Sequence, residues 1–278
     1  MSKVWFVTGS SRGLGRAIVT AALEAGDRVV ATARRPAQLD DLVTRYGDRV
    51  RPVALDVADH DAVQRAVQEG LNTYGRYDVV VNNAGYGDVA SVEDVTVDDF
   101  RAQINTNFYG VFHVSKAVVP ILRQQGSGHI FQVSSVGGRI GSVGLAAYQS
   151  AKWAVGGFST VLAQEVAPFN VKVTVLEPGG MRTDWAGSSM TVPPISDPYQ
   201  QTVGAFVDMI RNPGPETTVA NSAHPDQVAE AVVNLAGRAD APVRLLLGRD
   251  AVQYAGAAAQ ALAESDEKWR PVSESVWD

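Results

Sequence analysis

The chain has 278 residues, with 24 Lys and Arg against 30 Asp and Glu, a net charge of −6 and no cysteine. That length admits one or two domains, the acidic balance offers nucleic acid or an anionic membrane no basic field, and the lack of cysteine excludes disulfides, thiolate metal sites and a cysteine nucleophile. No apolar stretch approaches the roughly 18 residues of a membrane span, and the apolar run near Met1 is too short for a signal sequence, so a soluble, cytoplasmic protein is expected.

In chain order, Val4–Val7 is a short β-rich run that breaks at the glycine-rich stretch Thr8 to Gly15, before a helical pattern from Arg16 to Ala25. The same alternation follows: strand at Arg28–Ala33, helix at Pro36–Tyr46, strand at Arg51–Leu55, helix at Asp59–Tyr74 and strand at Asp78–Val81. One long helix is expected over Val97–Gln125, then a strand at His129–Val133, a helix at Leu145–Ala167 and a strand at Val171–Leu176. Strands alternating with helices imply parallel pairing through right-handed crossovers, a doubly wound α/β sheet of the Rossmann type. From Met181 to His224 the rhythm fails, and only Tyr199–Ile210 reads as helical. Helix Asp226–Leu235, strand Val243–Gly248 and helix Ala251–Glu264 then resume it, so the whole chain, 1–278, reads as one domain with an insertion at 181–224 and a C-terminal helix and tail from 249.

Gly9, Gly13 and Gly15 stand where the first strand meets the first helix, where backbone amides and the helix dipole can face a pyrophosphate without a Cβ in the way. A tight turn alone also explains such glycines. Tyr148 and Lys152 are four apart on one helix face. An ammonium about 4 Å from a phenolate, at an effective dielectric near 20, is worth about 4 kcal/mol, roughly three pKa units, enough to bring a phenol toward working pH. Ser134–Ser135 closes the preceding strand at its C-terminal end, where open α/β sheets bind ligands. The four histidines are dispersed and suggest no metal site.

Thr8-Gly9-x-x-x-Gly13-x-Gly15, Asn82-Asn83-Ala84-Gly85, Ser135 with Tyr148 thirteen residues later, and Lys152 occur in this order. Together they resemble the short-chain dehydrogenase/reductase family, and the resemblance runs from about Lys3 to Gly248. It implies a dinucleotide-dependent enzyme that interconverts an alcohol and a carbonyl by hydride transfer, with Tyr148 as acid and base. Lys152 would support the phenol and hold the nicotinamide ribose, Ser135 would bind the substrate oxygen, and Asn107 would relay protons through water. A helix-disrupting asparagine with only local bonds is the alternative for Asn107. The resemblance further implies a cofactor site formed by Gly9, Ser11, Arg12, Gly13, Leu14 and Gly15, by Asp56 and Val57, by Asn83, Ala84 and Gly85, and by Pro178, Gly179 and Thr183.

The second strand ends Ala33-Arg34-Arg35, with no acid where one would hold an adenine ribose. Arg34, with Arg12, therefore points to NADP rather than NAD, with NAD still possible. The insertion offers Trp185, Met190, Val192, Tyr199, Phe206 and Met209 but only Arg182 and Arg211 as bases, which points to a mobile lid selecting a mostly apolar alcohol or ketone. A lid that merely buries its own small core is the alternative. The apolar run Trp153–Leu162 offers a face for a homo-oligomer, a dimer or tetramer. Two other functional classes stay open: a catalytically silent nucleotide-binding sensor or scaffold of this fold, and a sugar-nucleotide epimerase or dehydratase on a related one.

Overall fold

A computed structural model describes residues 2–182, 190–212 and 222–277. Seven strands form one parallel sheet in the order β3-β2-β1-β4-β5-β6-β7. They are β1 (Val4–Val7), β2 (Arg28–Ala33), β3 (Val50–Ala54), β4 (Val79–Asn82), β5 (Gly128–Val133), β6 (Val171–Pro178) and β7 (Arg244–Leu247). The central strands carry apolar residues on both faces because helices cover both faces. Trp5 and Val7 of β1 join one core with Ile18, Leu42 and Val232, from α1 (Gly13–Glu24), α2 (Asp40–Tyr46) and α8 (Pro225–Leu235). Val4 and Phe6 join the other with Val67, Val118 and Leu162, from α3 (His60–Tyr74), α5 (Gly110–Gln125) and α6 (Ala146–Val166). The order reverses at β1, which pairs Val7 with Ala31 of β2 on one side and with Val81 of β4 on the other. The loops after β1 and β4 therefore diverge and open a crevice at the strands' C-terminal ends.

Several elements differ from the sequence expectation in ways that matter for the site. Helix α1 begins at Gly13 rather than Arg16, so Gly13 to Gly15 form its first turn. The helix expected over Val97–Gln125 is α4 (Val97–Ile104), a π-helical turn at Asn105–Tyr109, and α5. Within the insertion, a 3₁₀ turn and a π turn precede α7 (Ala205–Arg211). The C-terminal helix, α9, runs Arg249–Glu274, ten residues past the expected end. Arg270 pairs with Glu267 and Glu274 one turn to either side, which supports this extension. The run Trp153–Leu162 is only partly outward: Val155 and Leu162 are buried, while Trp153 and Val161 are exposed.

Candidate active site

The turn after β1 is built for close approach. Gly9 and Gly13 have φ of +68° and +55°, a region glycine enters without penalty. A Cβ on Gly15 would stand 2.3 Å from the Gly9 carbonyl oxygen, so that position is glycine for packing rather than for contact with a ligand. No side chain caps α1, because Arg12 is extended and makes no cap bond, and its first turn holds no acid. The first amides of a helix have no intrahelical acceptor, and here they are left for an anion. The neighbouring loop is pinned to this turn. Thr8 Oγ1 accepts from the amides of Asn83 and Ala84 at 2.9 and 3.0 Å, and Asn83 Nδ2 donates to the carbonyls of Thr8 and Gly9.

At the other end of the crevice, Ser135 follows β5, and Tyr148 and Lys152 lie one turn apart on α6. Ser135 Oγ accepts from Gly137 N at 3.0 Å and is hydrogen-bonded to Tyr148. Lys152 Nζ donates to the Val133 carbonyl at 2.9 Å and lies 5.5 Å from the Tyr148 ring centre. The loop and α6 touch closely: Ser134 Oγ donates to the Lys152 carbonyl, and a Cβ on Gly138 would stand 2.9 Å from that same oxygen. The electrostatics differ from the sequence expectation. Burial pushes the Tyr148 phenol up to about 12, with the Ser135 hydrogen bond pulling the other way, and pushes the Lys152 ammonium down to about 8. The ammonium donates to the strand carbonyl, and removal from water dominates the shift of both groups.

Asn107 sits in the π-helical turn and is fully buried. Its Nδ2 donates to the carbonyls of Tyr86 and Gln103 at 2.8 and 2.9 Å, and its Oδ1 accepts from Tyr86 N. The side chain is thus committed to the loop after β4, and it backs the site without lining it. A Cβ on Gly85 would stand 2.5 Å from Asn107 Oδ1 and 3.4 Å from Lys152 Nζ, so glycine there lets the three converge.

A continuous cavity of about 810 Å³ joins the two ends. Gly9, Ser11, Arg12, Gly13, Leu14 and Arg34, with Asp56 and Val57 after β3, line one end, and Asn83, Ala84 and Gly85 after β4 its middle. Ser135, Tyr148, Lys152, Pro178 and Gly179 line the other end. Of the expected site residues, Gly15 and Asn107 lie behind the wall, and Thr183 lies outside the described residues, as does Trp185. Phe206, Met209 and Ile210 reach the cavity from the insertion. Met190, Val192 and Tyr199 pack with Val89, Leu145 and Val203 in a small core that Phe206 also joins, and Tyr199 donates its hydroxyl to Glu93.

Among the wall residues that the sequence reading did not single out are Asp250 and Tyr254 of α9. Asp250 Oδ2 accepts from Gly180 N at 2.7 Å, while its Oδ1 is buried without a hydrogen-bond partner among the described residues. An acid in the first turn of a helix reads as a dipole partner, so nothing in the local sequence marks it. Glu177 was missed as well. It is fully buried beside Pro178 and bonded to both Arg139 and Arg244.

The sequence pattern of the family described as short chain dehydrogenase matches residues 3–191. Oxidoreductase BOA17 of Botryotinia fuckeliana is 62% identical over 275 residues, covering 98% of each chain. The structure of a short-chain dehydrogenase from Streptomyces avermitilis superposes with a TM-score of 0.91 at 36% identity, covering 99% of this chain and 98% of that one. A 3-ketoacyl-(acyl-carrier-protein) reductase from Brucella melitensis, complexed with NADH, superposes with a TM-score of 0.74 at 25% identity, covering 88% and 96%. With its parallel seven-stranded sheet and the ordered motifs now placed around one crevice, the chain belongs to the short-chain dehydrogenase family of oxidoreductases.

Proposed function

We propose that the protein is an NADP-dependent oxidoreductase that interconverts a carbonyl and an alcohol on a mostly apolar substrate. The observation that carries this reading is the single cavity with an uncapped helix N-terminus and Arg34 at one end and Ser135, Tyr148 and Lys152 at the other. The residues present fit a nicotinamide dinucleotide: the α1 N-terminus is uncapped with no acid in its first turn, and the positive-φ turn at Gly9 and Gly13 brings it to the cavity. Arg12 and Arg34 line that end and make no ion pair among the described residues, which supports a 2′-phosphate there. The Brucella neighbour carries NADH, so the NADP preference rests on Arg34 and Arg12 of this chain.

When bound, the dinucleotide supplies the hydride. In the reducing direction Tyr148, kept neutral by burial, donates its proton to the substrate oxygen, and Ser135 hydrogen-bonds the same oxygen as charge develops on it. Lys152 would hold the ribose hydroxyls and compensate the phenolate left behind. Asn107 supports this arrangement by fixing the Tyr86 loop. Val136, Ile140, Leu145, Phe206, Met209 and Ile210 supply an apolar wall at the catalytic end, and Arg12, Arg34 and Lys152 are the only bases among the described lining residues. A phosphorylated or polyanionic substrate therefore has no partner beyond the cofactor's own contacts.

Screening aliphatic and aromatic ketones against small polyols, following NADPH absorbance, tests the reading. Turnover that favours bulky apolar ketones supports it. Cofactor binding without turnover of any carbonyl or alcohol would instead favour a silent nucleotide sensor. We also infer that the chain self-associates as a dimer or tetramer, supported by the exposed Trp153 and Val161 on α6.

A further inference from the structure

The wall of the catalytic end holds a buried amide that the chemistry above does not use. Besides Tyr148, the buried polar side chains that line the cavity among the described residues are Ser134, Gln149 and Lys152. Lys152 belongs to the catalytic set, and the Ser134 hydroxyl is committed to the Lys152 carbonyl at 3.0 Å. Gln149 remains. It follows Tyr148 on α6, is 7% exposed, and lines the same end of the cavity as Val136, Ile140, Leu145 and Phe206. An amide buried in such a wall costs free energy unless its hydrogen bonds are made.

The backbone fixes which way this amide points. Ser142 N can only donate, and it stands 2.7 Å from one terminal atom of Gln149, so that atom is Oε1 and the other is the nitrogen. Gln149 Nε2 donates one hydrogen to Ser142 Oγ at 3.2 Å, the long end of the normal range. Its second hydrogen has no partner among the described residues. Bracing the Ser142 loop needs Oε1 and does not need that hydrogen. A Cβ on Gly137 would stand 3.1 Å from Gln149 Nε2 and 3.3 Å from Ser135 Oγ. The two heteroatoms therefore cannot be farther apart than those contacts laid end to end. Ser135, Gly137 and Gln149 all line the cavity, so the hydroxyl that would bind the reacting oxygen and the spare N–H border on one small space.

We propose that Gln149 selects substrate by donating a hydrogen bond to a second acceptor oxygen, carried on the carbon α or β to the reacting carbonyl. The substrate class is then an α- or β-oxygenated ketone, or the alcohol formed from it, with an apolar remainder. Acceptors on neighbouring or next-neighbouring carbons lie close enough together to meet both donors at once. A substrate that lacks the second oxygen displaces water from the buried N–H and leaves it unpaired, which is how one amide in an apolar wall discriminates. The inference rests on the carbonyl–alcohol reading above and names the substrate feature that the reading leaves open.

Three linear ketones of equal chain length, assayed with NADPH, test it. One is a methyl ketone, the second has an ether oxygen in place of the β methylene, and the third has it in place of the γ methylene. An ether oxygen accepts and does not donate, so a donor in the site lowers KM for it, whereas an apolar wall alone raises KM by the cost of desolvation. In the wild type, KM for one of the alkoxy ketones should lie about fivefold to tenfold below that for the plain ketone, the effect of one neutral hydrogen bond. Gln149→Met keeps the side chain's length without either bond. Gln149→Glu keeps an oxygen for Ser142 N and, ionised at neutral pH, loses the donor. In both variants the KM order should reverse. The differing electrophilicity of the ketones is common to all three proteins, so it drops out when their KM orders are compared. A role as loop brace alone predicts that Gln149→Glu keeps the wild-type order, and that result overturns the inference. So does a wild type with its lowest KM for the plain ketone, or a Gln149→Met protein with the wild-type order. If circular dichroism shows Gln149→Met misfolded, the wild type and Gln149→Glu decide. Turnover of all three ketones without this KM order overturns the inference alone; turnover of none overturns the carbonyl–alcohol reading with it.

Discussion

Lys152 Nζ donates to the carbonyl oxygen of Val133 at 2.9 Å, so the ammonium in the active site is anchored to β5. Burial holds it down to about 8. Its charge is therefore lost just above neutrality, and with it one N–H donor and the charge that would strengthen its hydrogen bonds to the cofactor ribose. NADPH affinity should fall as pH rises through about 8, and Lys152→Met should flatten that profile. The buried lysine also sets a stability slope: between about 8 and its usual 10.5 the unfolded chain binds the proton and the folded one does not, so folding stability should rise across that window. Denaturant unfolding of the wild type and Lys152→Met across this range checks the sign.

Tyr148→Phe removes one oxygen at a buried position and leaves the ring in place. Turnover should fall roughly a hundredfold to ten-thousandfold, with NADPH affinity nearly unchanged, as measured by titration of cofactor fluorescence. Near-normal turnover would remove Tyr148 as the proton donor.

Arg34→Ala should weaken NADPH binding by about tenfold to a hundredfold, the range for one hydrogen-bonded charge pair, and leave NADH binding largely alone. The ratio of kcat/KM for the two cofactors is the measurement. An unchanged ratio would assign the discrimination elsewhere.

Gly179 and Asp250 are packed so closely that a Cβ on Gly179 would stand 2.2 Å from the carboxylate. Gly179→Ala should cost about 1–3 kcal/mol as overpacking, and Asp250→Ala should recover much of that cost in the double variant. A double-mutant cycle by urea unfolding checks the coupling; additive losses would mean that the two do not touch.

His129 is buried, with Nε2 against Thr174 Oγ1 at 2.9 Å and Nδ1 without a hydrogen-bond partner among the described residues. Burial pushes it down to about 3 from 6.5. Between those values the unfolded chain takes up a proton that the folded chain refuses, so stability is lost as pH falls through this window. From pH 7 to pH 4 the loss amounts to about 3 kcal/mol. His129→Gln should be less stable at pH 7 but lose less on acidification. An equal loss in wild type and variant would place the acid sensitivity elsewhere.

The alternation of apolar strands and amphipathic helices needs only local periodicity, so the doubly wound sheet and the order of its elements were legible in the sequence. So were Gly9, Ser135, Tyr148 and Lys152, because each sits at a strand end or on one helix face fixed by spacing. What spacing cannot express is contact between distant segments. Asp250 reaches the Gly179–Gly180 turn across 70 residues, and Glu177 is held by arginines 38 and 67 residues away. The phenol's raised pKa follows from burial, a property of the packed state that the Tyr-x-x-x-Lys pattern does not contain. Asn107 shows the division within one residue: the sequence placed it beside the site with the Gln103 carbonyl one turn back, and only the tertiary structure decided that its side chain also bonds Tyr86, whose carbonyl comes within reach once the loop after β4 closes over the π-helical turn.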